Sequence, residues 1–157
     1  MDGGMEEQPK TLLEVRNLKK YFPLFQGMFG RKNGHVQAVN DVSFSILEGE
    51  ALGLVGESGS GKTTVGRTII RALEPTSGQI LFHSRSGKVL DFAAYSRREL
   101  RPYRAHMQMI FQDPFSSLSP RMTVRDIIGE PLIVSGKYKG TDLDDRIREV
   151  AHICGLN

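Results

Sequence analysis

Residues Gly56 to Thr64 read Gly-Glu-Ser-Gly-Ser-Gly-Lys-Thr-Thr and follow the apolar run Ala51-Leu52-Gly53-Leu54-Val55. Gly56, Gly61, Lys62 and Thr63 satisfy G-x-x-x-x-G-K-[ST], which ties the local fold to a strand, a curled loop and a helix. Each residue type has a physical reason. Glycines let the backbone curl so that successive N–H groups point inward at phosphate oxygens. The helix expected over Thr63 to Leu73 offers unpaired N–H groups and the positive end of its dipole. Lys62 brings a full charge to the β/γ-phosphates, and the Thr63 hydroxyl suits Mg²⁺. Gly56, Glu57, Ser58, Gly59, Ser60, Gly61, Lys62, Thr63 and Thr64 are therefore the candidate nucleotide-binding residues. The alternative, a glycine-rich turn and nothing more, is disfavoured by the strand before the loop and the helix after it.

The rest of the composition narrows the class. The chain has 157 residues, enough for one domain with a core. Its net charge of +3 comes from 21 Lys and Arg spread along the sequence, which argues against a nucleic-acid face. The one cysteine, Cys154, excludes an internal disulfide and is expected to pack in the core. His35, His83, His106 and His152 have no metal-ligand spacing. The acidic start, Met1 to Glu7, lacks the apolar stretch of a signal peptide, and no apolar run approaches the ~20 residues of a membrane span.

Along the chain, residues 1–10 read as a disordered tail. Leu12 to Phe22 reads as a strand with Leu13 and Val15 on one face. Pro23 to Gly34 reads as a loop that folds Leu24, Phe25, Met28 and Phe29 back onto the sheet. In Val36 to Ile46 the alternation of Val42, Phe44 and Ile46 predicts a half-buried strand. Ala51 to Val55, apolar on both faces, fits a central parallel strand. Gln79 to Phe82 and Lys88 to Phe92 can pair across a Ser84 to Gly87 turn. Ser96 and Glu99 form a capping-box pattern for a short helix to Arg104, and Thr123 with Asp126 repeats it before Val124 to Ile128. Met107 to Phe111 reads as another strand. From about Asp142, Leu143, Ile147, Val150 and Cys154 share one helix face, and Gly155 stands where a C′ glycine belongs.

A second constellation, Phe111-Gln112-Asp113-Pro114, ends the Met107 strand about 50 residues after the lysine. A side chain there can reach the γ-phosphate in a parallel α/β sheet. Gln112 is suited to ligate Mg²⁺ and orient water. Lys62 and Gln112 are the candidate catalytic residues, and Thr63 and Gln112 the candidate metal ligands. Alone the tripeptide is an ordinary strand-ending turn. Its weight comes from the phosphate loop.

Taken together these stretches resemble the ATP-binding subunits of ABC transporters, in particular the oligopeptide and dipeptide importer group. The resemblance lies in Leu18-Lys19-Lys20-Tyr21-Phe22-Pro23, Ala38 to Phe44, Val55 to Thr64, Pro75-Thr76-Ser77-Gly78, Met107 to Val124 and Glu130-Pro131-Leu132. Ser119 departs from the asparagine of the pattern. The resemblance implies an α/β P-loop nucleoside triphosphate hydrolase fold with an antiparallel β subdomain. It spans residues 11–157, with a helical subdomain beginning near 123–157. It implies ATP and Mg²⁺ as ligands and assigns Gln112 to the Q-loop, between Mg²⁺ and the membrane subunits. It further implies that Tyr21 or Phe22 stacks on adenine; the family's pattern favours Phe22, while strand periodicity favours neither. The implied partners are transmembrane permease subunits and a second ATP-binding subunit, head to tail. The implied location is the cytoplasmic side of the inner membrane. Nickel and glutathione importers share these motifs, because cargo contacts lie on other subunits.

The resemblance also expects a Leu-Ser-Gly-Gly-Gln signature, a Walker B strand ending in Asp-Glu and a switch histidine. None stands in the 157 residues, and Ser77-Gly78-Gln79 is a decoy. The expectation is of the N-terminal part of a longer subunit that binds ATP but does not hydrolyse it alone, with apolar surface left exposed. Two other classes are weighed against it. A GTPase would carry Asn-Lys-x-Asp, which is absent, and a small-molecule kinase would not need Phe111 to Val124 in this form. A non-catalytic nucleotide-binding module is the third reading.

Overall fold

A computed structural model of the chain describes residues 10–26, 31–113 and 117–156. All but the last residue of the expected tail, together with Met28, Phe29 and Pro114, lies outside these. The chain forms two compact units, Met1–Met109 and Ile110–Asn157.

The first unit is built on four antiparallel strands in the order β2-β1-β3-β4. They are β1 (Thr11–Gln26), β2 (Arg31–Leu47), β3 (Ser77–His83) and β4 (Val89–Asp91). β1 and β2 pair from Thr11↔Leu47 to Gln26↔Arg31. The hairpin is longer than its sequence suggests, since Pro23 pairs with His35 inside the expected loop. Pro23 is tolerated because β3 accompanies β1 only as far as Lys19↔Ser77. Past that point β1 has β2 as its one strand partner, an edge position where a missing N–H is affordable. Leu24 there is 48% exposed rather than folded back.

Val15, Leu18, Val39 and Ile80 form the core, with Leu13, Val42 and Phe44 packed against it. Leu13 and Val15, like Val42 and Phe44, share a face by period 2, and the register shifts on either side of Leu18 let Leu18 and Val39 join them. Val65 of helix α1 (Lys62–Ile69) and Leu100 of α2 (Arg97–Leu100) join the core from the helices, and Phe92, just past β4, joins it from the sheet, its N–H donating to Ile80 O. Phe92 is fully buried and stacks on Phe82 at 5.1 Å. The expected β3–β4 pairing is present, Leu81↔Asp91 to His83↔Val89. Asp91 Oδ1 closes it by accepting the N–H groups of Ile80 and Ala93. The Ser96–Glu99 capping box is formed, and its hydrogen bonds from Ser96 hold the Glu99 carboxyl below its usual range. α2 ends at Leu100 and continues as a 3-10 turn, Arg101–His106, with Pro102 at its start. The Arg104 guanidinium donates to the carbonyls of Ile70 and Arg71 just past α1. That satisfies groups a helix leaves unpaired at its C-terminal end.

Two expected strands are absent among the described residues. Ala51 to Val55 and Met107 to Phe111 have no regular secondary structure and join no sheet. Val55 and Ile110 are each 95% exposed. β-forming residues make a strand only against a hydrogen-bonding neighbour, and the described residues offer these two segments none.

The second unit contains α3 (Val124–Ser135) and α4 (Thr141–Ile153). The Thr123–Asp126 capping box starts α3 as expected, but the helix runs on through Pro131 to a left-handed Gly136. Ile147 packs against Gly129, where an added Cβ would stand 3.1 Å from Ile147 Cδ1. Arg125 and Asp144 form an ion pair between the helices. Leu156 N–H to Ala151 O and Gly155 N–H to His152 O close α4 in the Schellman arrangement, with Gly155 at φ +72°. Cys154 occupies the cap and is exposed, not core. The helix ends at Ile153, so the stripe stops before it reaches Cys154.

Gly78 shows how tightly the sheet is closed. Its φ is +98°, and a Cβ there would stand 2.6–2.8 Å from Asn17 O, Leu18 Cα and Arg16 O. Gly87 has φ +78° and open space. Gly78→Ala should therefore cost clearly more stability than Gly87→Ala, whose cost is the left-handed strain alone, about 1–2 kcal/mol. Urea denaturation of both variants checks this; equal midpoints would contradict it.

Candidate functional site

The loop Gly56 to Thr64 is built as its sequence requires, without the strand expected before it. Ser60 N–H returns to Glu57 O at 3.2 Å, making a turn. Gly59 and Gly61 take φ +81° and +92°, so the loop reverses twice on glycine. Gly61 is the N-cap of α1, and Val65 N–H makes the first helical bond to Gly61 O. The N–H groups of Lys62, Thr63 and Thr64 therefore stand in the first turn with no helical acceptor. Residues 51–60 are exposed, as is Thr63.

Lys62 folds over its own loop. Its Nζ donates to Gly56 O and Glu57 O, both at 2.6 Å, with Ser60 Oγ at 3.4 Å. A Cβ on Gly56 would meet that same Ser60 Oγ at 2.7 Å. The ammonium thus sits at the centre of a ring of loop atoms, held by weak neutral acceptors that an anion can replace.

α1 is seated by Val65 and Thr68, both buried, with Thr68 Oγ1 donating to Thr64 O at 2.7 Å. It is shorter than the expected Thr63 to Leu73 helix, because Arg71 turns the chain at φ +57°. Its N-terminus is fixed by β2. Between Lys20↔Val39 and Tyr21↔Gln37 the register shifts, leaving Ala38 as an extra residue on β2. This bulge turns the Ala38 carbonyl toward the loop: a Cβ on Gly61 would stand 2.1 Å from Ala38 O.

Just past that shift Tyr21 and Phe22 follow the ladder in regular register, so they face opposite sides of it. Tyr21 is engaged throughout. Its ring stacks on His35 at 4.8 Å, its hydroxyl donates to Asn40 Oδ1 at 2.6 Å, and its N–H donates to Thr76 Oγ1 at 2.8 Å. Phe22 is 37% exposed, with Lys20 Nζ 4.8 Å from its ring centre. Of the two aromatics, Phe22 is the one with surface to offer. Gln112 belongs to the second unit and is exposed. Ser77–Gln79 opens β3, so it is a strand start and not a signature loop. The bulge at Ala38, the Thr76 hydroxyl and the Arg104 cap were not read as site elements from sequence. Thr76 stood inside a recognisable stretch, but nothing in that stretch signalled a role.

A curled loop on a helix N-terminus, with its lysine turned inward, defines the P-loop class. The ABC transporter family model matches residues 39–157, and the chain belongs to that family. It is 48% identical over 149 residues to the oligopeptide transport ATP-binding protein AppF of Bacillus subtilis (strain 168), covering 94% of this chain and 44% of that protein. It is 43% identical over 145 residues to the oligopeptide transport ATP-binding protein OppF of Lactococcus lactis (strain IL1403), covering 92% of this chain and 44% of that protein. The chain thus spans under half the length of these relatives. Among solved structures it is similar to the dimeric ATP-binding cassette MJ0796 in a post-hydrolysis state bound to ADP and Pi. That match has a TM-score of 0.68 at 24% identity, covering 93% of this chain and 58% of the other. The fold is that of the ABC ATPase cassettes.

Gly61 is required twice, by φ and by the Ala38 carbonyl, whereas Gly59 at φ +81° has open space around its Cβ. Gly61→Ala should lower the melting temperature well beyond Gly59→Ala, which pays only about 1–2 kcal/mol of left-handed strain. Differential scanning calorimetry compares them. A smaller shift for Gly61→Ala would mean that β2 does not fix the loop.

Proposed function

We propose that the chain binds Mg-ATP as part of the energy-coupling subunit of an ABC importer for di- and oligopeptides, and that the whole protein hydrolyses ATP to drive uptake. The observation that carries this reading is the inward Lys62 ammonium within a loop whose helix-start N–H groups have no helical acceptor. A phosphate entering the loop offers Lys62 charged acceptors in place of two neutral carbonyls, and offers the N–H groups of Lys62, Thr63 and Thr64 their missing partners. The peptide cargo is supported by the names of the relatives.

The donor set fits both ligands. Gly56, Glu57, Ser58, Gly59, Ser60, Gly61, Lys62, Thr63 and Thr64 form the phosphate cradle, where Gly56 and Gly61 leave the space that a Cβ would fill. The exposed Thr63 hydroxyl would hold Mg²⁺; Gln112 is proposed as a further ligand on the family resemblance alone. The ion, when bound, neutralises developing phosphate charge. Phe22 would stack on the base, since Tyr21 is already engaged. The loop supplies charge and positioning rather than proton transfer. Hydrolysis is therefore assigned to the whole protein and not to these residues alone.

The remaining assignments belong to the same reading. Residues 11–157 form the N-terminal part of an ATP-binding domain. The α3–α4 hairpin supports a helical subdomain beginning near 123–157. Partners would be permease subunits and a second ATP-binding subunit, a reading supported by the dimeric state of the MJ0796 cassette. The protein would act peripherally on the cytoplasmic face of the membrane. Among the described residues no helix is long and apolar enough to cross one.

Lys62→Ala removes a charge-assisted contact of about 1.5–3 kcal/mol, so affinity for a fluorescent ATP analogue should fall roughly tenfold or more. Equal binding by both proteins would remove the lysine from the site. A stacked aromatic offers a face common to both purines, so GTP should compete within about tenfold of ATP in the same titration. A strong preference for GTP would point to another P-loop class.

A further inference from the structure

We propose that Thr76 is a positioning residue for base recognition: its hydroxyl fixes the β1 backbone at Tyr21 and so sets the presentation of Phe22. The inference rests on the reading that Phe22 stacks on the base.

The β1–β3 ladder stops at Lys19↔Ser77. Beyond it, the β3-facing edge of β1 has no strand partner among the described residues, just where β1 must hold an aromatic in place. Thr76 fills that position with both its backbone and its side chain. Its N–H donates to Lys19 O at 2.8 Å, and its Oγ1 accepts the Tyr21 N–H at 2.8 Å. The two bonds bracket Lys20 and act as one further rung of the ladder, the second half of it made by a side chain. On the other edge, β2 holds Tyr21 through the stack on His35 and the bond to Asn40. Tyr21 is therefore fixed from both sides. Phe22 is the next residue, and its backbone direction follows from that clamp.

Thr76 also ends the segment that leaves α1, the helix carrying Lys62 at its start. One short stretch, residues 70–76, thus runs from the end of α1 to the start of β3, where Thr76 bonds to β1, the strand of the aromatics. This links the two ends of the proposed nucleotide site through covalent chain and two hydrogen bonds, with no contact between Thr76 and ligand required. A threonine serving only to finish a turn would affect all ligands alike. A positioning residue affects only ligands that carry a base.

Isothermal titration of the full chain with Mg-ATP and with inorganic tripolyphosphate separates these cases. Thr76→Val keeps the shape and removes the acceptor. It should weaken Mg-ATP about 3- to 10-fold, while tripolyphosphate stays within about twofold of wild type. Thr76→Ser restores the oxygen and should bind both ligands as wild type does. Phe22→Ala should lose Mg-ATP affinity with tripolyphosphate unchanged. Melting temperatures are taken for each variant, and Thr76→Ala replaces Thr76→Val if the latter does not fold. Equal weakening of both ligands by Thr76→Val overturns the proposal, as does an unaltered Mg-ATP affinity when Phe22→Ala loses it. An unaltered Mg-ATP affinity in Phe22→Ala overturns the base reading itself.

Discussion

The Gly61 backbone lies against the Ala38 carbonyl so closely that a single methyl group would overlap it. Most of the first unit follows from that contact. It needs a glycine at the helix start, in a left-handed conformation few other residues adopt. It needs a bulge on β2 to bring a carbonyl out of the ladder. And it needs α1 pressed on the sheet, which Val65 and Thr68 provide by burial. Packing of an eight-residue helix cannot rest on propensity, since an isolated helix of that length is marginal. Tertiary contact holds it: the sheet at one end, and the Arg104 guanidinium on the carbonyls just past its other end.

One hairpin therefore does two jobs. The register shift that turns Ala38 toward the loop lies beside the pair Tyr21↔Gln37. The Gly56–Thr64 loop and the exposed Phe22 both lie beside this one irregularity between β1 and β2. Bulges recur next to functional sites because a local break in the ladder bends the strand and re-aims one residue. In the proposed function this fixes the distance between base and phosphates in advance, and lowers the ordering cost of binding.

Much of this was legible in the sequence because it depends on local chemistry. The two capping boxes, the β3–β4 hairpin and the Gly155 cap are set by neighbours within a few residues and formed as read. The Gly56–Thr64 loop curls onto a helix start as its glycines require, but without the strand read before it and with a shorter helix after it. The misreadings have a common cause. Ala51 to Val55 and Met107 to Phe111 carry the apolar composition of central strands, but a strand exists only when another pairs with it, and pattern alone does not supply a partner. Pro23 suggested a loop because its missing N–H is costly in a sheet. It is not costly where β1 has one neighbour, and that depends on where β3 ends. Cys154 was placed by helical period without knowing that the helix caps there. The Ala38 bulge and the Thr76 bond had no local signature, because both are created by pairing residues far apart in sequence.

The central claim is that the loop on β2's bulge is a phosphate cradle with Lys62 at its centre. Amide NMR of the ¹⁵N-labelled chain during Mg-ATP titration tests it most directly. The account predicts that the Gly59, Gly61, Lys62, Thr63 and Thr64 amides shift together and saturably, as N–H groups acquire phosphate acceptors. Shifts confined to other segments, with these five resonances unmoved at saturation, would contradict it.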